Sequence, residues 1–118
     1  IVTDHDAFGY FTRRYGITVV GAVIPSNSTQ AQPSAGDVAD LERTIRRTGV
    51  RAVFPEESVN PRLARRIAAD TGAAVGGRLY GDTLGPMGSP GATYAGMLAA
   101  NASRLVRGMS GGAVTCRP

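Results

Sequence analysis

The chain has 118 residues, of which 42 % are apolar, so it is long enough to form one domain with a packed core. We expect no membrane span and no secretory leader, since the sequence holds neither an apolar run of about 18 residues nor a signal-peptide pattern. The net charge is +4, but no aromatic–basic interleaving or RNA-binding motif accompanies the basic residues, so we expect no nucleic-acid partner.

The basic residues are all arginines, and nearly half of them have a structural explanation. Six stand just before glycines that we predict to end helices: Arg13, Arg14, Arg46, Arg47, Arg104 and Arg107. Positive charge at a helix C-terminus is favourable because it complements the helix dipole.

Short β-branched runs alternate with segments of helical periodicity along the chain. The predicted strands are IVT, ITVVGAV, VRAVF and AAVGGRLY, at residues 1–3, 17–23, 50–54 and 73–80. A helical segment follows each strand, so the order strand–helix occurs four times. This alternation predicts an α/β fold with a four-stranded parallel sheet and helices on both faces. The strand order that we expect is 2-1-3-4.

Capping residues mark the predicted helix boundaries. Ser34 with Asp37 resembles a capping box, and the pairs Asn60–Pro61 and Ser89–Pro90 are typical of helix starts. Three glycines are predicted to end helices in the left-handed conformation: Gly16, Gly49 and Gly72.

Ionisable residues follow three of the four predicted strands, whereas only Pro25, Ser26 and Asn27 follow the second. His5, the only histidine, comes after the first strand, Glu56 and Glu57 after the third, and Asp82 after the fourth. In the order 2-1-3-4 these three strand ends are neighbours, and ligands of open α/β sheets bind beyond the carboxyl ends of strands. One imidazole with carboxylates suits a divalent cation such as zinc, manganese or iron.

Each of these residues also has a purely structural interpretation. His5 could cap the following helix or fill a polar niche. Asp4 and Asp6, which flank it, could be acids favoured by the dipole at the helix start. The acidic residues after the third and fourth strands could be solvated loop residues.

Other chemistries find less support. The loop GPMGSPG (85–91) could cradle a phosphate, but it lacks the lysine of a P-loop, so we interpret it as a loop and helix cap. No GxSxG motif occurs, and Ser58 has no histidine partner nearby in sequence. Cys116 cannot form an internal disulfide, and we expect a free thiol in a mobile tail.

Four segments together resemble a known family. HDAFGYF, PSAGDVADL, VFPEESVNPRLA and LYGDTLGPMGSPGATYAGML are similar, in order and spacing, to the C-terminal lobe of the zinc- and manganese-binding solute-binding proteins of ABC transporters. The resemblance covers residues 1–108 and leaves 109–118 as a predicted flexible tail. It implies a protein of two α/β lobes joined by a long helix, with the metal held in the cleft and two ligands from each lobe.

The resemblance also assigns roles to individual residues. It implies that His5 and Asp82 are the metal ligands of this lobe and that Glu56 is a supporting group that orients the imidazole. Histidine at position 5 favours Zn²⁺, with Mn²⁺ as the alternative. The N-terminal lobe and its two ligands are absent, so we expect this half-site alone to bind metal weakly, and binding to weaken below about pH 6.

The implied function is capture of a divalent metal for a membrane permease, outside the cytoplasm in the periplasm or at a lipoprotein anchor, with no enzymatic step. Two alternatives remain open. One is an adhesion or interaction lipoprotein, and the other is a metal-dependent hydrolase on a flavodoxin-like sheet.

Overall fold

Strand and helix alternate four times along the chain, as the sequence predicts. A computed structural model describes residues 1–116. Its elements are β1 (Val2–Thr3), α1 (Gly9–Tyr15), β2 (Gly21–Ala22), α2 (Ala35–Thr48), β3 (Ala52–Phe54), α3 (Arg62–Thr71), β4 (Ala74–Val75) and α4 (Tyr94–Met109). All neighbouring strands are parallel and their order is β2-β1-β3-β4, which confirms the predicted sheet.

Two apolar clusters cover the two faces of the sheet. Strand β3 contributes to both, with Val53 in one cluster and Ala52 and Phe54 in the other, because successive residues of a strand point to opposite faces. The other buried members come from helices α2, α3 and α4 and from Phe8, which precedes α1. They are Leu41, Ile45, Ala64, Ile67 and Ala68 on the first face, and Phe8 and Leu105 on the second. Fully burying one such large side chain contributes about 1.5–3 kcal/mol.

The regular strands are shorter than the predicted runs, but backbone pairing continues beyond them. Ile24 N–H donates to the carbonyl of Asp4 over 2.7 Å, and Leu79 N–H donates to the carbonyl of Pro55 over 2.7 Å. These bonds extend the parallel pairing toward the carboxyl edge of the sheet, where the predicted site lies.

A bulge interrupts the pairing between β3 and β4. Val75 pairs with Val53 and Leu79 pairs with Glu56, so the β4 side has one residue more than the β3 side between these points. The extra residue lies between Gly76, whose N–H donates to the carbonyl of Val53, and Leu79, whose N–H donates to the carbonyl of Pro55. A Cβ on Gly76 would lie 2.5 Å from the Phe54 ring. Bulges redirect the residues that follow them, and the segment that follows this bulge carries Asp82.

Most predicted caps are confirmed. Ser34 and Asp37 form a reciprocal capping box at the start of α2. Gly16, Gly49 and Gly72 end their helices with φ of 65°, 66° and 76°, in the left-handed region that favours glycine. The Asn60 side chain accepts the N–H of Arg62 at the start of α3.

The predicted start of α4 at Ser89–Pro90 is wrong. The helix begins at Tyr94, and the Thr93 hydroxyl caps it by accepting the N–H of Gly96 over 3.1 Å. Residues 86–92 instead form turns, in which the N–H of Ser89 donates to the carbonyl of Pro86 and the N–H of Ala92 donates to the carbonyl of Ser89.

The helix-dipole explanation of the arginines holds for five of the six. Arg13, Arg14, Arg46, Arg47 and Arg107 lie in last turns. Arg104 does not, because α4 continues past Gly108. Its guanidinium instead donates to the carbonyl of Arg78 and stacks 4.7 Å from the centre of the Tyr80 ring.

The described part of the chain ends shortly after α4, at Cys116. Met109 ends α4, and the carbonyl of Cys116 accepts a hydrogen bond from the Ser103 hydroxyl over 2.9 Å. Arg117 and Pro118 lie outside the described residues, so the flexible tail stays a prediction. Among residues 1–116, no helix combines the length and apolarity needed to cross a bilayer.

Ser34→Ala is expected to lower the free energy of unfolding by about 1 kcal/mol, because the hydroxyl that caps α2 is lost. Urea denaturation at pH 7 measures this difference. Ser58→Ala is the control, since Ser58 is an exposed turn residue outside the helices, and it should change stability by less than about 0.5 kcal/mol.

The same pair of proteins tests a pH dependence. Hydrogen bonds from the Ser34 side chain and backbone hold the pKa of Asp37 below its usual 3.8. Stability from this carboxylate is therefore present above pH 3.8 and is lost as the pH falls through the lowered folded value. The stability gap between wild type and Ser34→Ala should narrow in that acid range, and a gap that widened there would contradict the capping role.

Candidate metal centre

His5 lies where the chain leaves β1 at the carboxyl edge of the sheet. Its side chain is buried, with 2 % of its surface exposed. Its backbone is held on both sides, since the N–H donates to Glu56 Oε1 over 3.1 Å and the carbonyl accepts the Thr3 hydroxyl over 3.0 Å. These two hydrogen bonds fix the backbone of His5 next to β1, and with it the position from which the imidazole projects.

Glu56 orients the imidazole of His5 from the next strand. Its side chain is fully buried, and Oε1 lies 2.8 Å from His5 Nδ1. The same oxygen already accepts the backbone N–H of His5. We therefore assign the proton of the neutral ring to Nδ1, which leaves the lone pair on Nε2.

Burial also affects the charge of this pair. Loss of hydration raises the pKa of Glu56, and the hydrogen bonds from the backbone and side chain of His5 oppose that rise. A buried carboxylate needs such donors to stay ionised, so the two groups depend on each other.

Asp82 covers the opposite side of the imidazole. Its Oδ1 lies 3.3 Å from His5 Nε2, and its side chain is half exposed. Asp82 therefore stands between the buried ring and solvent. With the lone pair on Nε2, two electron-pair donors face one another, and only a proton or a metal cation can join them.

The structure brings His5, Glu56 and Asp82 together at one edge, but Glu57 points elsewhere. The Glu57 carboxylate lies 3.5 Å from the guanidinium groups of both Arg78 and Arg104. It belongs to an ion-pair network beside the sheet and not to the site.

The interpretation of Asp4, Asp6 and His5 as helix-start residues is wrong. Helix α1 begins only at Gly9, its first turn contains no acid, and Phe8 precedes it without a side-chain cap. Asp4 is buried and accepts the N–H of Glu56 over 2.6 Å, and loss of hydration raises its pKa. Asp4 thus fixes the backbone of the residue that orients His5, while Asp6 is exposed.

Two further residues shape the site without a local sequence signal. The Arg78 guanidinium donates to the carbonyls of Glu56, Glu57 and Val59, which holds the segment after β3. Gly81 lies directly against Glu56, where a Cβ would come within 2.5 Å of Oε2. The absence of a side chain at Gly81 lets the Asp82 segment approach the buried carboxylate.

The remaining candidates do not join the site. Ser58 lines a cavity of about 440 Å³ between the loop after β2 and the start of α3, which reaches Asp4 but none of His5, Glu56 and Asp82. Cys116 is exposed. Loop 85–91 does not lead directly into a helix, since α4 starts at Tyr94. Within residues 1–116, no three His, Cys, Asp or Glu side chains converge as a complete metal site.

Comparison with known proteins gives consistent matches. A sequence model of the family described as zinc-uptake complex component A, periplasmic (ZnuA), matches residues 1–108. The chain is 36 % identical over 115 residues to the zinc-binding protein TroA of Treponema pallidum (strain Nichols), covering 93 % of the chain and 37 % of TroA. It is 32 % identical over 114 residues to the manganese-binding lipoprotein MntA of Bacillus subtilis (strain 168), covering 92 % and 37 %.

A solved structure supports the same relationship. The periplasmic zinc-binding protein TroA from Treponema pallidum matches with a TM-score of 0.78 at 33 % identity, over 92 % of this chain and 40 % of that one. The chain therefore spans 37 % of the length of the two curated relatives, TroA and MntA.

Glu56→Ala is expected to abolish the preference of the His5 ring for the Nδ1–H form, because the acceptor opposite Nδ1 is removed. Long-range ¹H–¹⁵N NMR of the imidazole distinguishes the two neutral forms. Glu57→Ala is the matched control and should leave the spectrum of His5 unchanged. A wild-type ring with the proton on Nε2 at neutral pH would contradict the assignment.

Proposed function

Because the chain belongs to the ZnuA family of periplasmic zinc-uptake components, we propose that it is the C-terminal lobe of a solute-binding protein that captures a divalent transition metal for an ABC importer. The family and the relatives are metal-binding transport proteins and not enzymes. The metal is cargo, and its binding and release need no covalent step.

The observation that carries this proposal is the separation of His5 Nε2 and Asp82 Oδ1. Ligand atoms about 2.0–2.1 Å from a tetrahedral zinc ion lie about 3.3 Å from each other, and these two atoms are 3.3 Å apart. Glu56 binds the other ring nitrogen, an arrangement typical of histidines that ligate metal. The two donors are thus spaced for one shared cation.

Zinc is the metal that we favour, with manganese as the alternative. An imidazole suits zinc, whereas manganese prefers oxygen-rich octahedral sites. TroA is named for zinc and MntA for manganese, so the family accommodates both.

The site in this chain is half of the proposed ligand set. His5 and Asp82 would supply two ligands, and the other lobe of the parent protein would supply the rest. The share of TroA and MntA that the chain spans, 37 %, leaves room for such a lobe. Approach of the lobes would complete the coordination, after which the protein would deliver the ion to a membrane permease outside the cytoplasm.

The alternatives differ in their support. A metal-dependent hydrolase would need a further base or nucleophile, and the family match argues against it. Binding of a host or partner protein through an adhesive surface stays a prediction from the sequence.

His5→Ala and Asp82→Asn are each expected to weaken Zn²⁺ binding to the chain by at least tenfold, since each removes one of two donors. Heteronuclear NMR or calorimetric titration measures the affinity. Asp6→Asn is the matched control, because Asp6 is an exposed acid next to His5 and should have little effect. Unchanged affinity in both site variants would exclude this pair as the metal site.

Zinc affinity is also expected to decrease in acid, since protons compete with the metal for the ligand atoms. Titrations between pH 5 and 8 measure this decrease. The dependence should be much shallower in His5→Ala. A steep fall that persisted in that variant would place the competing proton on another group.

A further inference from the structure

The side chain of Asn101, in α4, forms two hydrogen bonds with the backbone of Tyr80, two residues before Asp82. Its Oδ1 accepts the N–H of Tyr80 over 2.9 Å, and its Nδ2 donates to the carbonyl of Tyr80 over 2.8 Å. Asn101 is 2 % exposed. One buried side-chain amide therefore satisfies both backbone polar groups of Tyr80 at the point where the chain turns toward the site.

The placement of this asparagine is costly without those bonds. Asparagine is a poor helix former, and an amide buried without partners is unfavourable. Helix α4 is also a firm support, since Leu105, one turn further along, is buried in the core cluster with Phe54. The clamp thus ties the Asp82 segment to a long, packed helix.

The ring of Tyr80 holds the segment on the other side of Asp82. Gly85 and Gly91 both lie against this ring, and a Cβ on Gly91 would collide with it. Gly85 N–H donates to the carbonyl of Gly91 over 2.8 Å, which closes the loop over the ring. Asp82 therefore lies between two points that both depend on the position of Tyr80.

Gly81 makes this support necessary. Gly81 lies between Tyr80 and Asp82, and a Cβ at this position would collide with the Glu56 carboxylate. A glycine adds backbone freedom, so the direction of the Asp82 carboxylate has to be fixed by contacts of the neighbouring residues.

We propose that Asn101 is a positioning residue for metal binding. It fixes Tyr80, so that the Asp82 carboxylate stays close enough to His5 Nε2 for both groups to bind one cation. This inference rests on the proposed metal-binding function. Asn101 itself contacts no metal and contributes through the geometry of one ligand.

The test is a double-mutant cycle on the 118-residue chain with Zn²⁺ alone as the probe. Asn101→Ala should weaken zinc binding about tenfold, the size of effect typical for groups that orient a metal ligand. In an Asp82→Asn background the same substitution should have almost no further effect, because the ligand that it positions is already lost. Asn27→Ala, in an exposed loop, is the control.

Asn101→Asp is the second variant, since it keeps the volume of the side chain but loses the donor to the Tyr80 carbonyl. It should reproduce the loss of affinity, and circular dichroism establishes that each variant is folded. An unchanged zinc affinity in folded Asn101→Asp or Asn101→Ala, or an equal loss with and without Asp82, would overturn the positioning role. If Asp82→Asn itself left zinc binding unchanged, the proposed function would fail instead.

Discussion

The 2.8 Å hydrogen bond between His5 Nδ1 and Glu56 Oε1 determines what the only histidine can do. A buried imidazole and a buried carboxylate are each unfavourable alone, and here Nδ1 is paired with Oε1, while Oε2 of Glu56 is buried without a hydrogen-bond partner. The bond also selects the nitrogen that is left free, and it directs that nitrogen toward Asp82. The proposed binding of a cation at this edge would depend on a proton position that is fixed from the opposite side of the ring.

The sheet topology makes this contact possible. Because β1 and β3 are neighbours in the order β2-β1-β3-β4, the residues that follow them meet at one edge. Asp4 and Arg78 then hold the backbone of Glu56 from two sides. The bulge between Gly76 and Leu79 and the two hydrogen bonds from Asn101 precede Asp82, whose carboxylate lies at the same point. Each part of the site is thus attached to a paired strand or to a packed helix.

Those features that follow local or topological rules could be predicted from the sequence. The alternation of strands and helices predicted the parallel sheet, and the expected order 2-1-3-4 is the one that the structure has. The position of polar residues at strand ends led to His5, Glu56 and Asp82, and the family resemblance gave each of them an expected role.

Features that depend on distant partners could not be predicted. Asp4 looked like a helix-start acid, and only the β1–β3 pairing shows that it holds Glu56, 52 residues away. Asn101 and Arg78 carry no local pattern, since their partners are backbone groups 19 to 22 residues distant. The start of α4 was misplaced because loop 85–91 folds onto the Tyr80 ring, a contact that the Ser89–Pro90 signal does not encode.

Anomalous diffraction at the zinc edge, from crystals of the chain grown with Zn²⁺, tests the central claim most directly. The account predicts a peak about 2.0–2.1 Å from both His5 Nε2 and the Asp82 carboxylate, with Glu56 still bonded to Nδ1. A peak bound to His5 Nδ1, or located at other side chains with His5 and Asp82 unoccupied, would contradict it.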